Sequence, residues 1–515
     1  MKAGGLDGVE IHGAHAEVGP DFPLGIALSY DEVIGEDGTT EEDTLAQLEV
    51  FLAAGTFDFF DLSIGSSHSE HFTIAPMGVP EGFALDFARR ARELVDGRAA
   101  IFVAGRIVDP AMAAAVGGGA ADVVAMSRAH LADPHLMRKL REGRAGEIRR
   151  CMGANVCVGR ALQGEPVACV LSPATGRESE GAAHWPEPRP SDLTRHIWRV
   201  RSEGPRLGRR RVLVVGAGLR AGAIAAARGH EITVHERRAW AGGHLGEIAW
   251  LPTREGWQVA IDGLVAELER AGGELRLGSE VDRALVEAER PDMVVLATGA
   301  TWDRDGASPA LLAGLDFGPS RPEPADLGNP EGDKGLRVAG GATVDPDVAG
   351  GARVLGLDAA LVAAREDPAG LGARVVIADE GGTYPPLGLA EALAAAGVRV
   401  TYLTSGGEVG ADTAFLLERQ HLMPRLRALG IELVTDAGVR AFVGGAVEAV
   451  DHFGGEPRRI EGVDTLVLGL GRTPHDELAV TLADLVPEVR VVGDALVPRT
   501  TTAIIAEAEK LGLDI

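Results

Sequence analysis

Cysteine is almost absent from this 515-residue chain, which holds only Cys151, Cys157 and Cys169. Three thiols cannot close a disulfide set, and the expectation is a reducing, cytoplasmic compartment. Lysine is nearly as rare, at Lys2, Lys139, Lys334 and Lys510, and aromatic residues make up 4% of the chain. No apolar run reaches the ~18 residues that a membrane-crossing helix needs, and "MKAGGLDGVEIHGAH" at the start has no apolar leader core. The formal net charge of −26 excludes the basic face on which sequence-independent nucleic-acid binding depends. What remains is an acidic, multi-domain protein with neither nucleic acid nor membrane as partner, and open to self-association as a homo-oligomer.

Short apolar runs alternate with Ala- and Leu-rich helical stretches through the first 130 residues: "DGVEIHGA", "FPLGIALS", "FDFFDLSIG", "AAIFVAGR" and "ADVVAMSR". This spacing predicts parallel βα units, with helices over 110–118 and 134–143. The cysteine segment comes next, and then a Pro- and charge-rich linker over 176–209 without periodicity. A second α/β region opens at "RVLVVGAG", a third near residue 373, and the tail from 479 carries "VRVVGDALVP" and a last helix. No repeat of 20–50 residues is present, which excludes a solenoid.

In the second region a buried strand runs into Gly216, Gly218 and Ala221, and a helix comes after them. The glycines permit a tight turn and close approach to a pyrophosphate, and the small third residue lets helix and strand pack. Alone, the motif also fits a structural βα turn. Glu236 ends the next strand twenty residues after Gly216, where an acid binds ribose hydroxyls. "VVLATGA", with Thr298 and Gly299, and "VVGDA", with Gly493 and Asp494, are two further motifs of two-dinucleotide flavoproteins. The helix from Leu219 to Arg228 spans about ten residues, near 15 Å and about a turn short for this fold. In the third region "DEGGTYPPLG" lacks the glycine pattern, and Pro385 and Pro386 remove amide donors from the helix start. That turn points to a structural role rather than to NAD(P)H.

The motifs "GVEIHGAH", "GRIVDP", "SRAHLADPHL", "GRAGEIRRCMGANVC", "GGHL", "ATGATWDRDG", "IEGVDTLVLGLGR" and "GDALVPR" occur in one order along nearly the whole chain. On them the sequence resembles the multi-domain Old Yellow Enzyme-related flavoproteins, which include 2,4-dienoyl-CoA reductase and the trimethylamine and dimethylamine dehydrogenases. It leans toward the amine-dehydrogenase and mycofactocin-associated branch. The resemblance implies an α/β fold, a partial (βα) TIM-type barrel followed by two nested Rossmann-like dinucleotide-binding domains. Residues 1–145 would be the C-terminal part of an FMN-binding barrel and 146–175 an iron–sulfur segment. Residues 210–372 with 479–515 would form an FAD- or ADP-binding domain, and 373–478 an inserted NAD-binding-like domain. The implied activity is a flavin-dependent oxidoreductase, passing electrons between a small substrate and a second flavin or external electron carrier.

The same resemblance implies the site residues. Gly105 and Arg106, and Ser127 and Arg128, close the strands where such barrels bind the FMN phosphate; an Arg capping a barrel rim is the plainer reading. His12 and His15 match a pair that lies over the flavin and orients substrate. Gly243 and His244 of "GGHL" join the second nucleotide site. Cys151, Cys157 and Cys169 match three of four cluster thiolates, and Ala154 stands at the fourth position, leaving a 3Fe-4S centre or a 4Fe-4S cubane with one iron lacking a protein ligand. A three-thiolate zinc site is the other reading.

The sequence also departs from that family. It starts at what should be the fourth barrel strand, Ala16-Glu17 replaces a Tyr proton donor, and Ala27 replaces an Arg beside the flavin. These departures motivate an alternative, a non-catalytic remnant that retains nucleotide binding or a structural role.

Overall fold

The computed structural model describes residues 19, 21–117, 119–178, 208–216, 218–302, 336–338, 342–344, 353–455 and 457–515. His12, His15 and most of the 176–209 linker lie outside them. The chain forms two compact units, Met1–Val158 and Gly159–Ile515.

In the first unit four of the expected apolar runs become strands: β1 (Gly25–Ser29), β2 (Phe59–Ser63), β3 (Ala100–Val103) and β4 (Val123–Val124). They lie side by side in sequence order and are all parallel. Parallel neighbours need a crossover, and helices Glu41–Ala54, Leu85–Val95 and Pro110–Gly117 supply it. The first of these starts in a capping box between Thr40 and Asp43, which satisfies two amides at the helix start. Strand alternation sends Phe60, Leu62, Ile101 and Val103 into the fully buried core, each worth about 1.5–3 kcal/mol of burial. On the opposite face Phe59 and Phe102 stack at 4.7 Å and stay partly exposed.

The second unit carries two parallel five-stranded sheets. One is built from β5 (Arg211–Gly216), β6 (Glu231–Glu236), β7 (Glu274–Leu277) and β8 (Met293–Ala297), and strand Val489–Val491 completes it beside β8. This late strand returns across the inserted region, as the nested arrangement requires. The other sheet runs Arg353–Gly356, Thr465–Gly469, Arg374–Asp379, Arg399–Thr404, Glu432–Val434. Its first strand precedes residue 373, the expected start of the inserted domain. Strand Arg353–Gly356 pairs in parallel with Thr465–Gly469, and Leu357, Leu361 and Val375 share one core. Packing thus moves that boundary toward the N-terminus. A mixed sheet including Ala437–Val443, Ala446–Asp451 and Arg458–Ile460 covers its other face.

The helix after β5 spans Leu219–Ala227, nine residues and about 14 Å, as short as the sequence suggests. It is buried along its length, against helices Gly256–Arg270 and Thr501–Asp514. Gly512 permits the close approach, since a Cβ there would lie 2.8 Å from the Ala221 carbonyl oxygen. Arg220 bridges both neighbours, donating to Glu267 at 3.1 Å and to Glu509 at 2.6 Å with all three side chains buried. No helix among the described residues is long and apolar enough to cross a membrane.

Breaking such a triad strands buried charge. Arg220→Met removes the cation that both buried carboxylates share and should lower unfolding free energy by about 3 kcal/mol, read as a shifted urea midpoint. A loss under about 1 kcal/mol would show the triad to be solvated.

Candidate functional site

The first cluster sits at the C-terminal ends of β3 and β4. Gly105 passes so close to Ala84 that a Cβ would be 2.4 Å from the alanine methyl. Arg106 then takes a left-handed backbone with φ +50°, a strained conformation for an arginine. Its Nη1 donates to the Met77 carbonyl at 2.9 Å and its Nη2 to the Met152 carbonyl at 3.0 Å. Its Nε is buried without a hydrogen-bond partner, and burial holds the guanidinium below its usual pKa. Arg128 Nη1 donates to the Ala75 carbonyl at 2.7 Å and to Asn155 Oδ1 at 2.5 Å. Among the described residues neither arginine is in an ion pair with a carboxylate, and nearby Glu81 is engaged by Arg150. Ser127 is exposed at the start of the short helix Ser127–Ala132. Two guanidiniums held by neutral groups, one with an unspent buried N–H, fit a phosphate dianion.

The cysteines behave differently. Cys151 and Cys157 belong to the first unit and Cys169 to the second. Burial pushes the Cys157 thiol up, and Cys151 adds to the shift. Cys169 Sγ accepts the Leu171 amide at 3.4 Å. Among the described residues no group of three or more His, Cys, Asp or Glu side chains could hold a metal ion.

The second unit presents the nucleotide turn. Gly216 has φ +88°, and a Cβ there would stand 2.4 Å from the Ala297 carbonyl oxygen. A Cβ at Gly218 would be 2.6 Å from Val214. Both positions therefore demand glycine, and no side chain caps the helix that begins after Gly218. Ala221 is buried against the final helix. Glu236 ends β6 buried, with Oε1 accepting the Arg238 amide at 2.9 Å. Gly243 (φ +53°) turns the chain so that His244 bridges two elements. Its Nε2 meets the Ala300 carbonyl at 2.7 Å and its Nδ1 the buried Glu247 carboxylate at 2.5 Å, while Arg238 pairs with that same carboxylate.

The remaining expected contacts are spent on the protein itself. Thr298 Oγ1 donates to the His475 carbonyl, and the Gly299 carbonyl accepts the His475 amide at 3.0 Å. Asp494 takes Arg472 at 2.6 Å and the Arg499 amide at 2.8 Å. The Gly493 amide donates to Glu507 at 2.8 Å. The glycine half of the site fits a pyrophosphate, whereas the Asp494 half is closed by internal bonds.

No protein-family model matches the chain. It is 37% identical over 292 residues to N,N-dimethylglycine/sarcosine dehydrogenase of Chromohalobacter salexigens, across 55% of this chain and 39% of that protein. It is 28% identical over 531 residues to a probable N-methylproline demethylase of Rhizobium meliloti, across 93% and 68%. The fold matches histamine dehydrogenase from Rhizobium sp. 4-9 with a TM-score of 0.78 at 24% identity, over 98% of this chain and 67% of that one. The chain thus matches between 39% and 68% of the length of these proteins. Its homologues are NADH oxidase- and dimethylamine dehydrogenase-like flavin oxidoreductases. In sequence the chain is thus similar to the Old Yellow Enzyme-related flavoproteins of multi-domain type.

The third-region turn departs furthest from a dinucleotide site. Asp379 carries one oxygen toward the Gly381 amide at 3.2 Å, while the other accepts the Gly382 amide at 2.9 Å and the Tyr402 hydroxyl at 2.5 Å. The amides that could face a phosphate are occupied by a carboxylate of the chain itself. Burial pushes Asp379 up to about 6, and burial with the Asp379 charge pushes Glu380 up to about 7. Sequence reasoning does not single out Asp379, Asn155, Arg238 or Arg472. The only signal for Asn155 is its place inside the cysteine motif, and for Asp379 an acid where a dinucleotide turn would have glycine.

These raised values mean that the folded state holds protons that the unfolded chain releases. For Glu380 the stabilisation is complete below the ordinary value of 4.5 and is lost as pH rises through about 7. Glu380→Gln should therefore raise the urea midpoint at pH 8 more than at pH 5. An equal change at both pH values would refute the buried-acid origin.

Proposed function

We propose that the chain is the flavin-bearing part of an oxidoreductase that exchanges electrons between a small substrate and an external acceptor. The observation that carries this reading is the Arg106–Arg128 pair, cationic and, among the described residues, without carboxylate partners, at the C-terminal edge of a parallel βα sheet. Active sites of βα barrels lie at that edge. N-methylated amines are the substrate class suggested by the dehydrogenase and demethylase relatives.

The residues divide the work. Arg106 and Arg128 would bind the FMN phosphate through charge-assisted bonds, and their rigid attachment to main-chain carbonyls fixes its position. FMN, when bound, supplies the two-electron redox chemistry. The Gly216–Ala221 turn and Glu236 would hold the diphosphate and ribose of a second nucleotide, FAD or ADP, and the closed Asp494 half favours ADP. The third-region turn, occupied by Asp379, serves as structure and not as an NAD(P)H site.

The cysteines enter as the sequence presents them: Cys151, Cys157 and Cys169 would be iron–sulfur ligands and Ala154 the vacant corner.

Two measurements test the proposal. Purified chain reconstituted with FMN should retain flavin absorbance after desalting. Arg128→Gln should weaken FMN binding tenfold to about a hundredfold, the worth of one charged hydrogen bond, and leave riboflavin binding unchanged. Wild-type protein that retains no flavin would remove the reading. For the cysteines, iron and sulfide analysis after anaerobic purification should find more iron in Ala154→Cys than in wild type. Two iron-free preparations would take the cysteines out of electron transfer.

A further inference from the structure

We propose that Asn155 is a positioning residue that holds Arg128 in the anion site and thereby couples that site to the cysteine loop 151–157. The proposal rests on the reading of Arg106 and Arg128 as phosphate ligands.

Asn155 is 3% exposed and left-handed, with φ +53°. Asparagine is among the few residues with a side chain that visit this conformation readily. Its Nδ2 donates to the Ile74 carbonyl at 2.9 Å, and its Oδ1 accepts Arg128 Nη1 at 2.5 Å. One amide therefore anchors to the segment that also offers Ala75 to Arg128, and presents an oxygen to the guanidinium. The choice of an amide matters: a carboxylate would grip Arg128 more strongly but cancel the charge that an anion must feel. A neutral acceptor orients the cation and leaves it cationic.

The loop is fastened to Arg106 as well. The Met152 carbonyl accepts Arg106 Nη2 at 3.0 Å. Gly153, at φ +76°, lies so close that a Cβ would stand 3.1 Å from Arg106 Nε and 3.2 Å from the Met77 amide nitrogen. Three features of the loop, the Met152 carbonyl, Gly153 and Asn155, thus bear on the two guanidiniums. Cys151 and Cys157 flank them. If the docked loop aligns both cations for a phosphate, a bound phosphate must favour the docked loop in return, because coupling between two sites is reciprocal.

The test uses the full chain and two probes that differ by one phosphate, FMN and riboflavin. Affinities are measured by flavin fluorescence quenching, and alkylation of Cys157 by iodoacetamide is followed by peptide mass spectrometry. Asn155→Gly accepts the left-handed backbone, so it removes the amide without adding strain. It should lower FMN affinity about tenfold, the worth of one hydrogen bond to a charged group, and leave riboflavin unchanged. FMN should slow Cys157 alkylation in wild type more than riboflavin does, and this difference should vanish in Asn155→Gly. Asn155→Asp retains the acceptor, so without ligand Cys157 should react at the wild-type rate while the preference for FMN over riboflavin is lost.

An unchanged FMN-to-riboflavin ratio in Asn155→Gly, with wild type binding FMN, would overturn the role of Asn155 alone. Equal alkylation of wild-type Cys157 with FMN and with riboflavin would overturn the coupling. Wild type that binds neither FMN nor inorganic phosphate would overturn the phosphate reading itself, and this inference with it.

Discussion

Half-buried positive charge that, among the described residues, forms no ion pair is the constraint around which the first unit is arranged. Arg106 and Arg128 are held by main-chain carbonyls and one amide, groups that orient a guanidinium and leave its charge in place. Desolvation makes that arrangement costly, and it lowers the Arg106 pKa. The surrounding chain is shaped to bear the cost: Arg106 and Asn155 adopt left-handed conformations and Gly153 gives up its side chain. By contrast, Lys139 and Asp133 in the same unit satisfy one another at 2.8 Å out of solvent. A cation already paired in this way has nothing to offer an anion.

The second unit shows three treatments of one problem, the exposed amides at the turn that ends a parallel strand. After β5, the Gly218 amide donates to the Gly216 carbonyl at 2.9 Å and no side chain caps the helix. After strand Arg374–Asp379 the Asp379 carboxylate occupies the turn amides. At Gly493 a carboxylate from the last helix, Glu507, accepts the amide. Of the three, the first alone has no carboxylate of the chain on its turn amides among the described residues, so similar topology carries unequal capacity to bind.

Much of the fold is legible because it rests on short-range patterns. The four apolar runs from "FPLGIALS" to "ADVVAMSR" became β1–β4, and "EITVHE" is β6 to the residue. The short nucleotide helix can be counted from Leu219. The boundary near 373 is less legible, because Arg353–Gly356 joins its sheet through a partner more than a hundred residues away, a contact that no local period encodes. The site divides in the same way. Gly216, Gly218, Arg106 and Arg128 stand out because backbone geometry and charge restrict the residue type. Asp494 and Thr298 match a motif, yet their bonding is decided by Arg472 and His475, which arrive from elsewhere in the chain. Asn155 is hidden in the sequence because its neighbours in the motif point to sulfur chemistry.

The Arg220–Glu509 bond joins residues 289 positions apart, and that span governs the order of assembly. The helix carrying Arg220 cannot be enclosed until Thr501–Asp514 has been synthesised, because Gly512 and Glu509 pack directly on it. The sheet containing Arg374–Asp379 lies wholly within that interval and can form while the nucleotide turn still waits for its last wall. Of the two nested domains the one that begins first is thus completed last, and during this delay its short helix depends on local contacts with β6 and helix Gly256–Arg270.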